Sequence, residues 1–245
     1  MSRVLIIAKR EVDSLFVSPV AYLVLCFFLF WMAIIFWFFY QAGSLLEIRT
    51  LMDWSRFGLF FAVPLITMGI FADEYRSGRI EMLRTSPISE FDLLFGKFLG
   101  AMVFYLFLVA STLIYPIIFR FYGKMDLGQI VSSYIGMFFL GLMFVAVGLF
   151  FSACTREQIV AALAGMITLG ALTILSFLSQ KVPVQVGSGK MQIQLRSIVE
   201  YMAVGTHVAN FTKGSIELAS VVYFVGIAGF FLLLTYLLLE SRKWR

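Results

Sequence analysis

The side chains able to do chemistry in this 245-residue chain are concentrated between Asp73 and Lys97. Asp73, Glu74, Arg76, Arg79, Glu81, Arg84, Glu90, Asp92 and Lys97 all ionise there, in a sequence that is otherwise mostly apolar. Such a mixed set offers charge-assisted hydrogen bonds to another surface. It does not offer catalysis. The sequence contains no GxxxxGK[ST], HExxH, CxxC or GxSxG pattern, and its one histidine is His207. Cys26 and Cys154 lie in or beside apolar runs, which gives neither a disulfide framework nor a metal site.

The local pattern of the charged stretch is more specific than a connector needs. Arg76 to Arg84 is expected to form a short helix containing Gly78. Pro87 stops it, because the residue before a proline is pushed out of the helical region. Ser89 followed three residues later by Asp92 reads as a capping box. It opens a second helix that carries Phe91, Leu94, Phe95 and Phe98 into an apolar phase. A short surface helix, a sharp turn and a helix launched from it together suit a docking element.

The elements that must position this segment follow from composition. The chain is 61% hydrophobic and 13% charged, about half the charged share of ordinary soluble domains. An all-α polytopic membrane protein fits. The net charge of +5 does not indicate nucleic acid, since the cations sit at the ends of apolar runs. A span needs about 20 apolar residues, and six runs qualify: roughly 20–40, 57–72, 98–119, 130–153, 158–178 and 219–239. The first has no cleavage site after it and reads as a retained anchor. Pro64 and Pro116 are expected to kink their helices. Gly136, Gly141, Gly148, Gly165 and Gly170 would allow close helix approach, within one chain or between chains.

Residues 3–18 form an amphipathic lead-in. Leu5, Ala8, Val12, Leu15 and Phe16 recur at helical steps, with Lys9, Arg10 and Asp13 on another face, as in a helix lying at a membrane interface. Both termini are expected on the cytoplasmic side. That orientation places Arg3, Lys9, Arg10, Arg76, Arg79, Arg84, Lys97, Arg156, Arg242, Lys243 and Arg245 inside, and leaves Arg49, Arg56, Arg120 and Lys124 in short outer loops. The segment 179–218 is the sizeable outer feature. Val182, Val184 and Val186 alternate before Gly187-Ser188-Gly189, and Met191, Ile193 and Leu195 after it, which suggests a small hairpin. Ser197 to Ala209 then reads as helical, able to dip back into the outer leaflet.

The spans carry almost no ionisable groups between their ends, which argues against an ion-driven carrier. An intramembrane enzyme would depend on Ser111, Thr112, Thr168, Thr173 and Ser176, each expected to bond its own helix backbone. Any energy should therefore enter through the charged cytoplasmic segment.

The pattern Glu74-x-x-x-Gly78-x-x-Glu81-x-Leu83-x-x-x-Pro87, followed by Gly96-Lys97, closely resembles the segment before the third span in permeases of the type-2 ABC exporter family. Within that family the chain is most similar to gliding-motility-associated ABC transporter permease subunits. That likeness rests on Ser18 to Leu23, Tyr134 to Phe150, Thr155 to Ala161 and Leu239 to Trp244. The resemblance implies one transmembrane domain over 1–245, in a bacterial inner membrane, without catalytic activity of its own. ATP and Mg would bind a separate ATPase dimer. A second permease copy, or an auxiliary membrane protein with a periplasmic part, would complete the assembly. The implied docking set is Glu74, Arg76, Gly78, Arg79, Glu81, Leu83, Arg84 and Pro87, with 76–84 as coupling helix and Gly78 allowing close approach. The other reading is a structural scaffold of a gliding- or secretion-type machine, energised by nothing.

Overall fold

The structure, a computed structural model, describes residues 3–41, 48–78, 89–122, 127–181 and 203–241. Helices account for nearly all of them, and no strand occurs among the described residues. In chain order the helices are α1 (Arg3–Val17), α2 (Pro19–Gln41), α3 (Ile48–Thr67), α4 (Gly69–Arg76), α5 (Glu90–Ser111), α6 (Ile114–Tyr122), α7 (Leu127–Cys154), α8 (Gln158–Lys181), α9 (Val204–Thr212) and α10 (Leu218–Ser241).

Among the described residues, five helical stretches are long and apolar enough to cross a membrane: Pro19–Phe39, Thr50–Arg76, Glu90–Ile118, Leu127–Cys154 and Leu218–Ser241. The fifth sequence run corresponds to α8, a 24-residue helix whose described apolar stretch is Gln158–Ile174. The expected hairpin at 182–195 lies outside the described residues.

The second span is longer than hydropathy indicates. It runs over Thr50–Arg76 rather than 57–72, so Asp53, Arg56, Asp73 and Glu74 are helical. Helix continuity is set by backbone hydrogen bonds, and charged side chains do not interrupt those. The span breaks instead near Pro64. Thr67 donates its hydroxyl to Val63 O at 3.0 Å, and the chain restarts as α4 at Gly69. Ser152 of α7 holds the break together. Its Oγ accepts from Phe71 N at 3.0 Å and Ala72 N at 3.2 Å, and its hydroxyl donates to Met68 O at 2.8 Å. The first amides of a helix have no partner of their own, and Ser152 supplies one. Pro116 acts as expected on the third span. A helical proline clashes with the carbonyl four residues back, here Thr112, and the helix breaks at Thr112–Leu113.

α7 is the central helix, touching α3, α4, α5, α8, α9 and α10. Its glycines make this possible within one chain. Phe211 of α9 packs on Gly136, the Tyr105 ring on Gly141, and Thr67 on Gly148. Gly165 and Gly170 of α8 face Pro64 and Phe60 in the same way. Tyr105, 1% exposed, satisfies its hydroxyl by donating to Met137 O at 2.7 Å. Ser111, Thr112, Thr168 and Thr173 donate to carbonyls of their own helices, which leaves the intramembrane-enzyme reading without a site in those four.

Candidate functional site

α1 lies along α5, and the sequence of α5 explains how closely. A Cβ built on Gly96 would stand 2.6 Å from Ile7 Cβ, and one on Gly100 would stand 2.6 Å from Glu11 Cβ. Only glycines at this four-residue spacing admit α1 at that distance. Phe16 then wedges its ring edge-on between Phe104 and Phe107, each centroid 5.2 Å away. The lead-in helix therefore presents Glu11 to the protein, while Lys9, Arg10 and Asp13 stay exposed.

Between the two glycines sits Lys97, with 2% of its side chain exposed. Its Nζ donates to Glu74 Oε1 at 2.8 Å, to Ile70 O at 2.8 Å and to Glu11 Oε2 at 3.2 Å. An ammonium has three donors, and all three are used. The same nitrogen lies 5.1 Å from the centroid of the Phe71 ring, close enough for a cation–π contribution. One buried cation thus joins α1, α4 and α5. Burying charge costs several kcal/mol per ion in general, and removing one partner of a buried pair costs about 3–5 kcal/mol. The three helices are therefore strongly coupled at this point.

A fourth helix is tied in one residue away. Gln158, at the start of α8, donates its amide to the Asp73 carboxylate. A cleft of about 110 Å³ opens beside this pair, with Glu11, Ser14, Ser18, Asp73 and Gln158 among its lining. Two carboxylates, Glu11 and Glu74, share the one Lys97 ammonium. Glu74 Oε2 is buried with no hydrogen-bond partner.

The charged stretch leaves this cluster directly. α4 ends at Arg76, which is exposed in the last turn and so complements the helix dipole. Ser77 caps the helix by donating both its N–H and its hydroxyl to Asp73 O, at 2.9 and 2.6 Å. Gly78 has φ +69°, the left-handed conformation that commonly follows a helix end. Gly78 accordingly closes the preceding helix instead of sitting inside a helix from Arg76. Arg79, Glu81, Leu83, Arg84 and Pro87 lie outside the described residues. The chain re-enters at Ser89, whose side chain accepts from Asp92 N at 3.0 Å, the N-cap half of a capping box.

Of the residues expected from sequence, Glu74 is part of the cluster, whereas Arg76 and Gly78 lead away from it. Sequence reasoning passed over Lys97 and Glu11 as site residues. Lys97 enters the sequence reading as one charge of the stretch 73–97, as an inside positive charge and as part of the Gly96-Lys97 pair, and not in the docking set. Its signal was a lysine one residue after a glycine and three before another, inside a helix otherwise apolar from Leu93 onward.

At the far end of the bundle, α9 packs into the molecule. His207 is buried, 3.0 Å from Ser220 Oγ through Nδ1 and stacked on Tyr223 at 4.2 Å. It is a satisfied core histidine. Asn210 donates to Glu217 at 2.7 Å.

This is a multi-pass helical membrane protein whose ionic side chains gather where one span breaks and the next begins. The chain belongs to the ABC-2 family transporter proteins, whose family model matches residues 6–244. No curated protein matches it. Members of this family are the membrane subunits of ABC transporters. They are generally non-catalytic and partner with an ABC ATPase that carries out hydrolysis.

Proposed function

We propose that this chain is the permease half of an ATP-driven export or force-transmitting complex, and that segment 73–97 docks its ATPase. The observation that carries the reading is the Lys97 cluster. A displacement imposed on the segment reaches Glu74 within a few residues, and from there α5 and α1 through a single buried ammonium. Gln158 extends the same linkage to α8. Buried, geometrically fixed ion pairs move as units and do not stretch, because separating them exposes unpaired charge in a poor dielectric.

In this reading six spans run with both termini cytoplasmic, in a bacterial inner membrane. ATP and Mg are bound by the partner, as a dimer. A second permease copy or an auxiliary protein with an outer domain completes the path. The similarity to gliding-motility permeases favours force transmission over release of a cargo.

The test is recovery of the ATPase with the purified chain and its hydrolysis rate. Glu81→Ala, Arg84→Ala and Gly78→Val should reduce both, with Lys124→Ala as the control on the opposite side. If those variants all match the control, the segment is a connector, and the unenergised scaffold becomes the better account. A thiol placed at Gly189 should label from outside in intact cells. Labelling only after lysis would contradict the topology.

A further inference from the structure

We propose that the cleft beside the Asp73–Gln158 pair binds the primary ammonium of a lipid head group of the phosphatidylethanolamine type. The cleft measures about 110 Å³, well above the roughly 10–15 Å³ that one water needs. Five helices, α1, α2, α3, α4 and α8, contribute to its wall. Its polar lining is Glu11, Ser14, Ser18, Asp73 and Gln158.

That lining holds open acceptors. Asp73 takes the Gln158 amide on Oδ1, and its Oδ2 accepts no hydrogen bond among the described residues. Gly69 keeps that oxygen accessible, because a Cβ there would stand 2.8 Å from Oδ2 and 3.6 Å from Gln158 Nε2. Glu11 gives Oε2 to Lys97, whose three donors are then all used, and leaves Oε1 open. Arg76, one turn on from Asp73, is exposed and forms no ion pair with it. The two serines stand out as well. Ser55, Thr67, Ser111, Thr112, Thr168 and Thr173 each donate to a carbonyl of their own helix. The hydroxyls of Ser14 and Ser18 have no such bond among the described residues.

Open carboxylate oxygens call for a cation that carries donors. A primary ammonium has three, and its bonds to carboxylates are charge-assisted. A quaternary ammonium has none and favours an aromatic face, whereas no aromatic ring is among the described residues that line the cleft. A metal ion is disfavoured too, since among the described residues no three His, Cys, Asp or Glu side chains gather to hold one. The serine hydroxyls suit the phosphate that a lipid ammonium brings with it. Arg10, exposed four residues before Ser14 on the same face of α1, adds a cation for it. Leu15, Val20 and Leu65 supply apolar wall. Val17 and Val20 are exposed on either side of Ser18-Pro19, where the first span starts, so the cleft borders the lipid phase. No residue of this site belongs to the docking set, and the site does not depend on the ATPase reading.

The test uses the full-length chain in neutral detergent, without an ATPase. Native mass spectrometry would titrate phosphatidylethanolamine and phosphatidylcholine of identical tails against wild type, Asp73→Asn and Gly69→Ala. Wild type should prefer phosphatidylethanolamine by about tenfold, the effect of one charge-assisted hydrogen bond. Asp73→Asn keeps an acceptor for Gln158 and should abolish the preference. Phosphatidylcholine binding should stay unchanged, which separates loss of the site from loss of the fold. Gly69→Ala alters no charge and should lower the same preference by narrowing the cleft. Equal binding of the two lipids by wild type overturns the proposal, as does a preference that survives in Asp73→Asn. Should Asp73→Asn fail to fold, an unchanged preference in Gly69→Ala overturns it instead. Displacement of the lipid by free ethanolamine would give the site to a soluble amine and overturn the lipid assignment, and resistance to it supports that assignment.

Discussion

Lys97 Nζ on α5 lies 2.8 Å from Glu74 Oε1 on α4, and the lysine side chain is almost wholly buried. The two residues flank the charged stretch at its start and its end. Whatever that stretch contacts, its two membrane roots are clamped to each other, and Glu11 clamps both to α1.

Lys97→Met keeps the length of the side chain and removes its charge. It leaves Glu11 and Glu74 buried without a counter-charge, and stability should fall by about 3–5 kcal/mol. Adding Glu11→Gln and Glu74→Gln should recover most of the loss, because a neutral cluster needs no counter-ion. Thermal unfolding in detergent reads both effects. A mild effect of the single variant would show that the cluster is hydrated and not a clamp.

Gly96→Val should push α1 away from α5, since its Cβ would meet Ile7 at 2.6 Å. Overpacking of this kind costs about 1–3 kcal/mol. Trypsin should then cut faster after Lys9 and Arg10 than in wild type. Unchanged cleavage would mean that Phe16 and the Glu11–Lys97 pair hold α1 without the close approach at Gly96.

Ser152→Ala removes one acceptor shared by two amides and one donor to Met68 O, all at the break in the second span. The cost should be about 1–3 kcal/mol. Hydrogen exchange should rise at the Phe71 and Ala72 amides before it rises elsewhere in α4. Uniform exchange through the helix would contradict a local role.

Gly141→Ala would drive a methyl group into the Tyr105 ring. It should be more damaging than Tyr105→Phe, which loses only the bond to Met137 O and about 1 kcal/mol. Tyr105→Ala should relieve much of the Gly141→Ala defect. A double-mutant cycle gives the coupling energy directly, and additive effects would place the two residues out of contact.

What sequence made legible were features decided within a few residues. The Ser89 cap on Asp92 N, the break four residues before Pro116 and the packing role of the α7 glycines all depend on local geometry. Gly78 reads in the sequence as a residue inside a short helix. Its φ of +69° shows that it ends one. Hydropathy alone makes the second span too short, because it stops at Arg56 and Asp73. The helix continues because Asp73 and Glu74 find partners on other elements. Those partners are the part that pattern reading cannot reach. Glu11 and Lys97 are 86 positions apart, and only the approach of α1 across Gly96 and Gly100 brings them together.

The central claim is that the Lys97 cluster passes motion from the docking segment into the bundle. Its most direct test is the complex with the ABC ATPase, reconstituted in lipid, comparing wild type with the neutral Lys97→Met, Glu11→Gln, Glu74→Gln variant. The account predicts that the ATPase is recovered in equal amount, since Glu74 and Lys97 are turned into the buried cluster and the rest of the docking set, Arg76, Gly78, Arg79, Glu81, Leu83, Arg84 and Pro87, is unaltered. It also predicts that the change in hydrolysis rate caused by the wild-type permease is lost. A neutral variant that modulates hydrolysis as wild type does would contradict it.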